Sequence, residues 1–566
     1  MPAVVFDWIE YTTFFLVLGI SSFIGVFFGF IKTDGQNTVN GYLLGGKKMG
    51  LFPVSISLVS SFTSGNTILG TPAEVYTYGT QYLLATICFV IVGFLCAYVF
   101  LPVFYKLQLL SLYEYMELRF NKFVRNVVSF LYTFSLLIYI PIVIYGPAIA
   151  LNQASNFDVY TIAIVVCTVC IFYTTFGGLK AVVWSDTIQG LIMVLSAVIV
   201  AVIGTIKVGG VAKVFEAASE GERLEFFRMD IDPRVRLSFW TIVIGITFTW
   251  TGSGTISPSA IQRFISLRTM REAKIAVLNF KIGCFILFFL SGYMGLVIYA
   301  TYKTCDPKTS GMISRSDQIL PFFILDVAGN VKGLAGLFLA GVVCAALSTM
   351  STGLNTVAGT LYEDFIQPTF GKTTDARAAT IMKMLSAAFG FVCLALVVVV
   401  AKLGSLVEIS VGLGGVTNGA ILGVFILGLF FPQANSKGAA AGGMAGLLSM
   451  GVTTFGSRTA VAAGYLVHPI KPTSIDNCDF NITINSANLW TPSAASGNVF
   501  PLFEVSLFYY GFMGCIISVT VGLFVSYFTG PNKVADVNRD LLSPLIYPFL
   551  PKYSDVPLKE KESEIL

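Results

Sequence analysis

The chain has 566 residues, a single histidine (His468), and only 12% charged residues. One histidine leaves little room for a histidine-ligated metal site or a Ser-His or Cys-His relay. Soluble domains carry roughly 25% charged residues. Half that share cannot coat the three or four water-soluble domains that this length would otherwise suggest. Neither sign of charge dominates: Lys+Arg number 35 and Asp+Glu 31, a formal net charge of +4. That balance argues against a nucleic-acid partner. There is no nucleophile elbow, Walker loop or HExxH pair, so no enzyme class and no cofactor is expected. The same composition excludes a disordered, collagenous or disulfide-rich secreted chain.

What is present is apolar and arranged in runs. Hydrophobic residues make up 55% of the chain. No Asp, Glu, Lys or Arg occurs in windows 11–31, 49–73, 75–105, 126–157, 159–179, 187–206, 237–262, 282–302, 333–362, 384–401, 409–436 and 505–532. About 20 apolar residues span a bilayer, and a charge at its centre costs at least about 2.5–3.5 kcal/mol. The windows therefore predict membrane helices. With one more after Lys437 they give about 13 spans. The expected architecture is an all-α membrane protein, with a transmembrane domain over 1–530 and a polar cytoplasmic tail over 531–566. The first window has Glu10 before it and no small-residue cleavage site after it, and it reads as a retained helix.

Thirteen spans put the termini on opposite sides. With the N-terminus outside, the inside loops hold Lys32, Lys47 and Lys48; Lys106, Arg119, Lys122 and Arg125; Lys180; Arg263, Arg268, Arg271 and Lys274; Lys372 and Arg377; and Lys437. The short outside loops near 80, 155 and 403 hold only Lys402. That is a positive-inside bias with a cytoplasmic C-terminus. A longer outside loop, 207–236, has balanced charges. The sequon Asn481-Ile482-Thr483 falls in loop 466–500, outside by this topology. The same loop holds Cys478, and the outside loop after span 8 holds Cys305. The two either form an external disulfide or remain free thiols. The other eight cysteines, Cys167 and Cys170 among them, read as apolar filler in spans. The terminal Glu564-Ile565-Leu566 matches a weak C-terminal peptide ligand, or is a plain solvated tail.

Two spans are interrupted. Numbered from zero, span 1 carries Thr63-Ser64-Gly65-Asn66-Thr67 at its middle. Span 6 carries Thr251-Gly252-Ser253-Gly254-Thr255, with Pro258 after it. Such backbone at membrane depth must line a cavity or be buried in protein. Interruptions at matching places in two groups of five spans are the mark of an inverted-repeat transporter, with the substrate between the breaks. Span 8 places Ser348, Ser351, Thr352 and Asn355 on one face. Small hydroxyls there are commonly packing contacts, but a dense cluster also suits a hard cation such as sodium. Asp186, at the inner end of a span, is either a functional acid or a helix N-terminal one. Glu74, at the outer end of span 1, reads as structural or gating.

Over about residues 5–530 the chain resembles the sodium:solute symporter family, in its branch of sodium-coupled monocarboxylate, multivitamin and iodide transporters. The matching stretches include SLYEYMELRF at 111–120, GGLKAVVWSDTIQ at 177–189, LSTMSTGLNTVAGTLYEDFI at 347–366 and GLFFPQANSKGA at 428–439. LGTPAEVYTYGTQ at 69–81 and KTCDPKTSGMISRSDQILPFF at 303–323 fit the same branch.

The resemblance implies a LeuT-like fold with two inverted five-helix repeats, about 50–208 and 237–432, and extra helices at 7–32, 436–466 and 502–530. It implies sodium-driven import at the plasma membrane by alternating access. One sodium ion would sit among carbonyls of Ser60, Thr63 and Ala345 and hydroxyls of Ser348 and Thr349. A second would sit among Asp186, Ser348, Ser351 and Thr352. Phe62, Asn66, Thr67, Tyr145, Trp240, Trp250 and Thr417 would bound the substrate cavity. The family's sugar carriers hold polar and charged sugar-binding groups in span 1, where this chain has Phe62 to Thr67, which disfavours a sugar. The cavity would be apolar with a few hydroxyls and no obvious fixed cation, with neighbouring sodium ions and half-helix N-termini to balance a carboxylate. It fits a small organic anion, a monocarboxylate or a carboxylate vitamin such as biotin or pantothenate. An iodide-like anion, another solute, or a sodium-dependent sensor or channel on the same scaffold are the other readings. Where the branch usually reads Tyr-Gly-x-Asn-Gln late in span 6, this chain reads Gly252-Ser253-Gly254-Thr255-Ile256-Ser257-Pro258.

Overall fold

In a computed structural model the described residues, 6–27, 31, 38–47, 49–155, 157–328, 331–371, 373–400, 406–478 and 499–550, form helices joined by loops. No strand occurs among them. The sequon at Asn481, the last residues Glu564–Leu566 and four of the loop lysines (Lys32, Lys48, Lys372 and Lys402) lie outside them.

The elements that matter for the site are α1 (Trp8–Val26), α2 (Leu51–Phe62), α3 (Gly65–Tyr78), α4 (Thr80–Leu107), α5 (Lys122–Ala154), α6 (Val159–Val208), α7 (Thr247–Gly254), α8 (Pro258–Ile265), α9 (Met270–Tyr302), α10 (Leu334–Leu361), α11 (Asp375–Val400), α12 (Leu406–Phe430), α13 (Ser436–Ala462) and α14 (Tyr510–Phe528). Nine helices among the described residues are long and apolar enough to cross a membrane. That is four fewer than the thirteen expected spans, for physical reasons. Spans 1 and 6 are broken into short halves. The two windows at 159–179 and 187–206 run into α6, which bends at Gly178 (φ 54°, ψ −164°). A side chain at that φ would be strained. The fourth, α13, is rich in glycine and alanine.

That glycine has a packing purpose. Gly438, Gly442 and Gly446 recur every four residues along α13, and a Cβ at any of them would collide with the Gly514–Ser526 stretch of α14. Small residues at this spacing let two membrane helices touch backbone to backbone. The opposite face of α13 presents Leu448, Val452 and Phe455, all exposed. An apolar surface of that kind is matched to lipid.

At the centre, α10 is buried on nearly every side, against α6, α5, α1 and α2. Its small residues make this possible, because Ala, Gly, Ser and Thr admit close neighbours all round. Cys305 and Cys478 are bonded, with Cα atoms 5.1 Å apart. The bond ties the segment after α9 to the loop after α13. The other eight cysteines are free and buried.

Three arginines that the positive-inside reading assigned to loops are buried instead. Arg119 donates to the carbonyls of Gly428, Phe431 and Pro432 at the end of α12. Arg125 pairs with Asp364 at 2.6 Å. Arg263 is 1% exposed and pairs with the buried Asp186. Each satisfies carbonyls or a carboxylate that hydrocarbon would leave bare.

Candidate functional site

The two breaks follow from their residues. α2 ends at Phe62 because Thr63 leaves the helical region (φ −101°, ψ 84°). The carbonyls at that end then have no partner within the helix. α3 restarts at Gly65, where a Cβ would stand 3.0 Å from Pro147 and 3.3 Å from the Val342 carbonyl, so only glycine fits comfortably. Span 6 likewise breaks at Thr255–Ser257, between α7 and α8. Ser257 caps α8 by accepting from the Ala260 N–H, and Pro258 takes the first helical position. The unusual 252–258 segment therefore keeps a break.

α10 docks its hydroxyl face on the first break. The Ser60 and Ser348 hydroxyls meet at 2.5 Å. The Thr349 hydroxyl lies 3.0 Å from the carbonyls of both Ser61 and Ala345. Ser60, Thr63, Ala345, Ser348 and Thr349 are all buried. Thr63 sets its hydroxyl 3.9 Å from the Cys284 sulfur. Hydroxyls and loose carbonyls of this kind form a hard-oxygen cluster suited to an alkali cation.

Asp186 lies one turn deeper and is fully buried. Its Oδ2 accepts from Ser57 at 2.8 Å and Ser61 at 2.9 Å. Ser351 and Thr352 approach its two oxygens at 3.4 Å each. The group nobody would place there from sequence is Arg263 of α8. Its Nη2 donates to Asp186 at 3.0 Å and to Thr352, and its Nε donates to Ser57 at 2.9 Å. Its Nη1 reaches the Ser259 carbonyl at 3.0 Å. A guanidinium thus already supplies the positive charge that Asp186 requires. Asn355, on the next turn of the same face, is buried with neither amide atom hydrogen-bonded among the described residues.

Beside this cluster lies a cavity of about 230 Å³. Ser61, Thr349 and Thr352 line it as well as belonging to the oxygen cluster. Phe62, Asn66, Thr67 and Trp250 also line it. Three residues expected on its wall do not. Tyr145 is buried under Arg315, whose guanidinium carbon is 5.7 Å from its ring. The cavity stripe of α5 is Tyr132, Ser135, Leu136 and Tyr139, at helical spacing. Tyr145 is off that stripe and further along the helix. Trp240 is 37% exposed and packs on Phe239 at 5.2 Å, before α7 begins. Thr417 bonds Ser135 at 2.9 Å and faces a separate lateral pocket between α5, α12 and α13. Its neighbour Asn418 lines the central cavity, with Ser410 one face-repeat earlier. Ser410 accepts from the Asn66 amide at 3.1 Å. Asn418 had a signal in the sequence, a lone amide in an apolar span. Only the rotation of α12 decides which of two adjacent residues faces inward.

Ion pairs stand at each end of the cavity. On one side Arg236, before α7, holds Glu74 of α3 at 2.8 Å and Glu408 of α12 at 3.1 Å. Arg458 of α13 adds a contact to Glu408 at 3.3 Å. On the other, Asp364 accepts from Arg125 and, at 3.0 Å, from Ser111, with Ser129 also in contact. Beyond the first pair, in the loop after α13, burial beside Arg236 pushes the His468 imidazole down to about 4.

The sodium:solute symporter family model matches residues 42–446. The mouse sodium-coupled monocarboxylate transporter 2 is 38% identical over 539 residues, covering 95% of this chain and 86% of that protein. The human sodium-coupled monocarboxylate transporter 1 is 36% identical, covering 93% and 88%. The rabbit sodium-dependent multivitamin transporter is 34% identical, covering 97% and 86%. Among solved structures, a substrate-bound, outward-open sodium-coupled sialic acid symporter superposes with a TM-score of 0.73. It is 22% identical and covers 93% of this chain and 99% of its own, a likeness of fold.

Proposed function

This chain belongs to the sodium:solute symporter family, and from that premise we propose that it imports a small organic anion, a monocarboxylate or carboxylate vitamin, together with sodium. The observation that carries the reading is the shared wall. Ser61, Thr349 and Thr352 belong both to the oxygen cluster and to the cavity, so an ion in one stiffens the other. Coupling needs such shared contacts, because a ligand shifts an equilibrium only through differential interaction with its states.

Sodium binds among Ser60, Thr63, Ala345, Ser348 and Thr349. A second ion among Asp186, Ser348, Ser351 and Thr352 enters only in a state where Arg263 has left the carboxylate. Two sodium ions per cycle therefore go with movement of α8. The substrate lies between Phe62, Asn66, Thr67 and Trp250, with Asn418 opposite. Ser64 makes no side-chain cap to α3, so that half-helix presents open N–H groups at its positive end. A cavity of about 230 Å³ lies below the roughly 300 Å³ at which drug-sized pockets begin, which favours small carboxylates over biotin.

Thirteen crossings complete the architecture: the nine long helices, two broken ones, the second arm of α6 beyond Gly178, and α13. They form two inverted repeats of five, about 50–208 and 237–432, in the plasma membrane with the N-terminus outside and the tail inside. The Cys305–Cys478 bond supports an oxidising outer face for those loops. Asn481 is proposed as glycosylated on that face, and the C-terminal Glu564–Leu566 as a weak peptide ligand inside. The Glu74–Arg236–Glu408 set is the outer lock of alternating access and Arg125–Asp364 the inner one.

The test is uptake by expressing cells in sodium against choline medium, with labelled lactate, butyrate, nicotinate, pantothenate, biotin and iodide. Sodium-dependent accumulation of a carboxylate supports the reading. Accumulation of iodide alone moves the chain to the inorganic-anion members of its branch. No uptake, with the protein at the surface, overturns import and leaves a sensor or channel.

A further inference from the structure

α9 carries a lysine that neither lock nor the oxygen cluster uses. Lys281 lies about three turns into the helix, just before the charge-free window 282–302. Its side chain is 4% exposed. Its ammonium has no hydrogen-bond partner among the described residues. The titratable groups that face it are thiols, Cys284 on its own helix and Cys96 on α4, and neither carries a compensating charge. An ammonium withdrawn from water without a partner is among the costliest groups a membrane helix can hold, and such groups mark function by default.

Its surroundings lead to the cavity. Lys281 Nζ lies 4.1 Å from the Phe280 ring centroid and 5.5 Å from that of Trp250. Trp250 lines the cavity, and Phe280 packs at 5.1 Å on Phe62, which lines it too. The partition beside the rings is the broken part of span 6. A Cβ built at Gly254 would stand 3.1 Å from Nζ, while Gly252 and Ser253 face the cavity from the same turn. One aromatic ring and a stretch of glycine backbone therefore separate an unpaired cation from the proposed substrate. The π faces hold the ammonium in a weak resting position, and its four-carbon arm is flexible.

We propose that Lys281 is the fixed cation of the substrate site: it pairs with the carboxylate of the transported anion and sets the preference for anions over neutral solutes. This rests on the organic-anion reading above, and it supplies the positive charge that the residues predicted from sequence do not. On substrate entry the ammonium exchanges its aromatic contacts for the carboxylate, and the pair occupies the cavity without net charge.

The experiment compares wild type, Lys281→Met and Lys281→Arg in expressing cells, with surface protein quantified by biotinylation. The probes are labelled nicotinate and its neutral counterpart nicotinamide, with butyrate as a second acid. Removing an unpaired buried charge does not threaten folding, so Lys281→Met is expected at the surface. Its KM for the acids should rise about tenfold or more, the loss of one charge-assisted contact. Its preference for nicotinate over nicotinamide should fall by a similar factor, a change that a purely structural lysine would not produce. Lys281→Arg should keep the preference. If wild type accumulates the acids and Lys281→Met keeps both its KM and its preference within about twofold, the lysine assignment is overturned alone. If wild type takes up none of the acids, the organic-anion reading falls, and the assignment with it.

Discussion

The Asp186–Arg263 pair offers the sharpest test of how this site is built. Both groups are buried, and five bonds from the guanidinium and two good hydroxyl bonds to the carboxylate hold them. Asp186→Asn keeps an acceptor for Ser57 and Ser61 but leaves Arg263 without a counter-charge. Breaking a buried pair on one side costs about 3–5 kcal/mol, whereas replacing both partners with apolar groups is often neutral. Asp186→Asn and Arg263→Met should each destabilise by that amount, and the double variant should recover most of it. The assay is a double-mutant cycle on detergent-purified protein by thermal unfolding, in sodium and in choline. With each single variant costing about 3–5 kcal/mol and the double near neutral, a coupling of at least about 5 kcal/mol is expected. A second, ion-specific result follows, because Arg263→Met exposes a carboxylate ringed by Ser57, Ser61, Ser351 and Thr352. Sodium should stabilise that variant more than wild type, and Asp186→Asn not at all beyond wild type. Additivity of the single variants within about 0.5 kcal/mol would refute the pairing energetics. Equal stabilisation of Arg263→Met by choline and sodium would remove Asp186 as a cation site.

Ser348→Ala and Thr349→Ala should raise the sodium concentration for half-maximal uptake severalfold at normal surface expression; unchanged sodium dependence in both would misplace the coupling ion. Asn418→Ala should raise substrate KM, while Tyr145→Phe and Trp240→Phe should leave it at the wild-type value, read from the same uptake curves. His468 is neutral down to about pH 4 in the folded chain against about 6.5 when unfolded. The unfolded state therefore takes up the proton first, so acidification from 6.5 towards 4 removes stability. Transport between about pH 5.5 and about pH 8 should not titrate with this residue. A His468→Gln pH profile that superimposes on wild type is the expected result, and a lost inflection would contradict it.

Local chemistry carried much of this protein in its sequence. Charge-free windows have one physical use, so the helical membrane class was legible, as were both breaks, where Ser, Thr and Gly stand in otherwise apolar spans. The hydroxyl stripe of α10 was legible because a helix repeats its faces at fixed spacing. Arg263 was not, because a charge near the end of a span looks like a loop residue until the broken helix turns it inward onto Asp186. Lys281 was hidden for the same reason, one residue outside a window and next to aromatic rings contributed by α7 and by its own helix. Tyr145, Trp240 and Thr417 lie off the cavity wall, because composition says which residues suit a cavity and not which way a helix is rotated. Asn418 displaced Thr417 by a single step of about 100°. The sequence by itself determined which stretches are apolar enough to cross a bilayer and where two of them cannot remain helical, since each is decided by a residue and its near neighbours. Only the tertiary structure decided which charges meet, because those partners lie on helices whose contacts are fixed by packing across long stretches of chain.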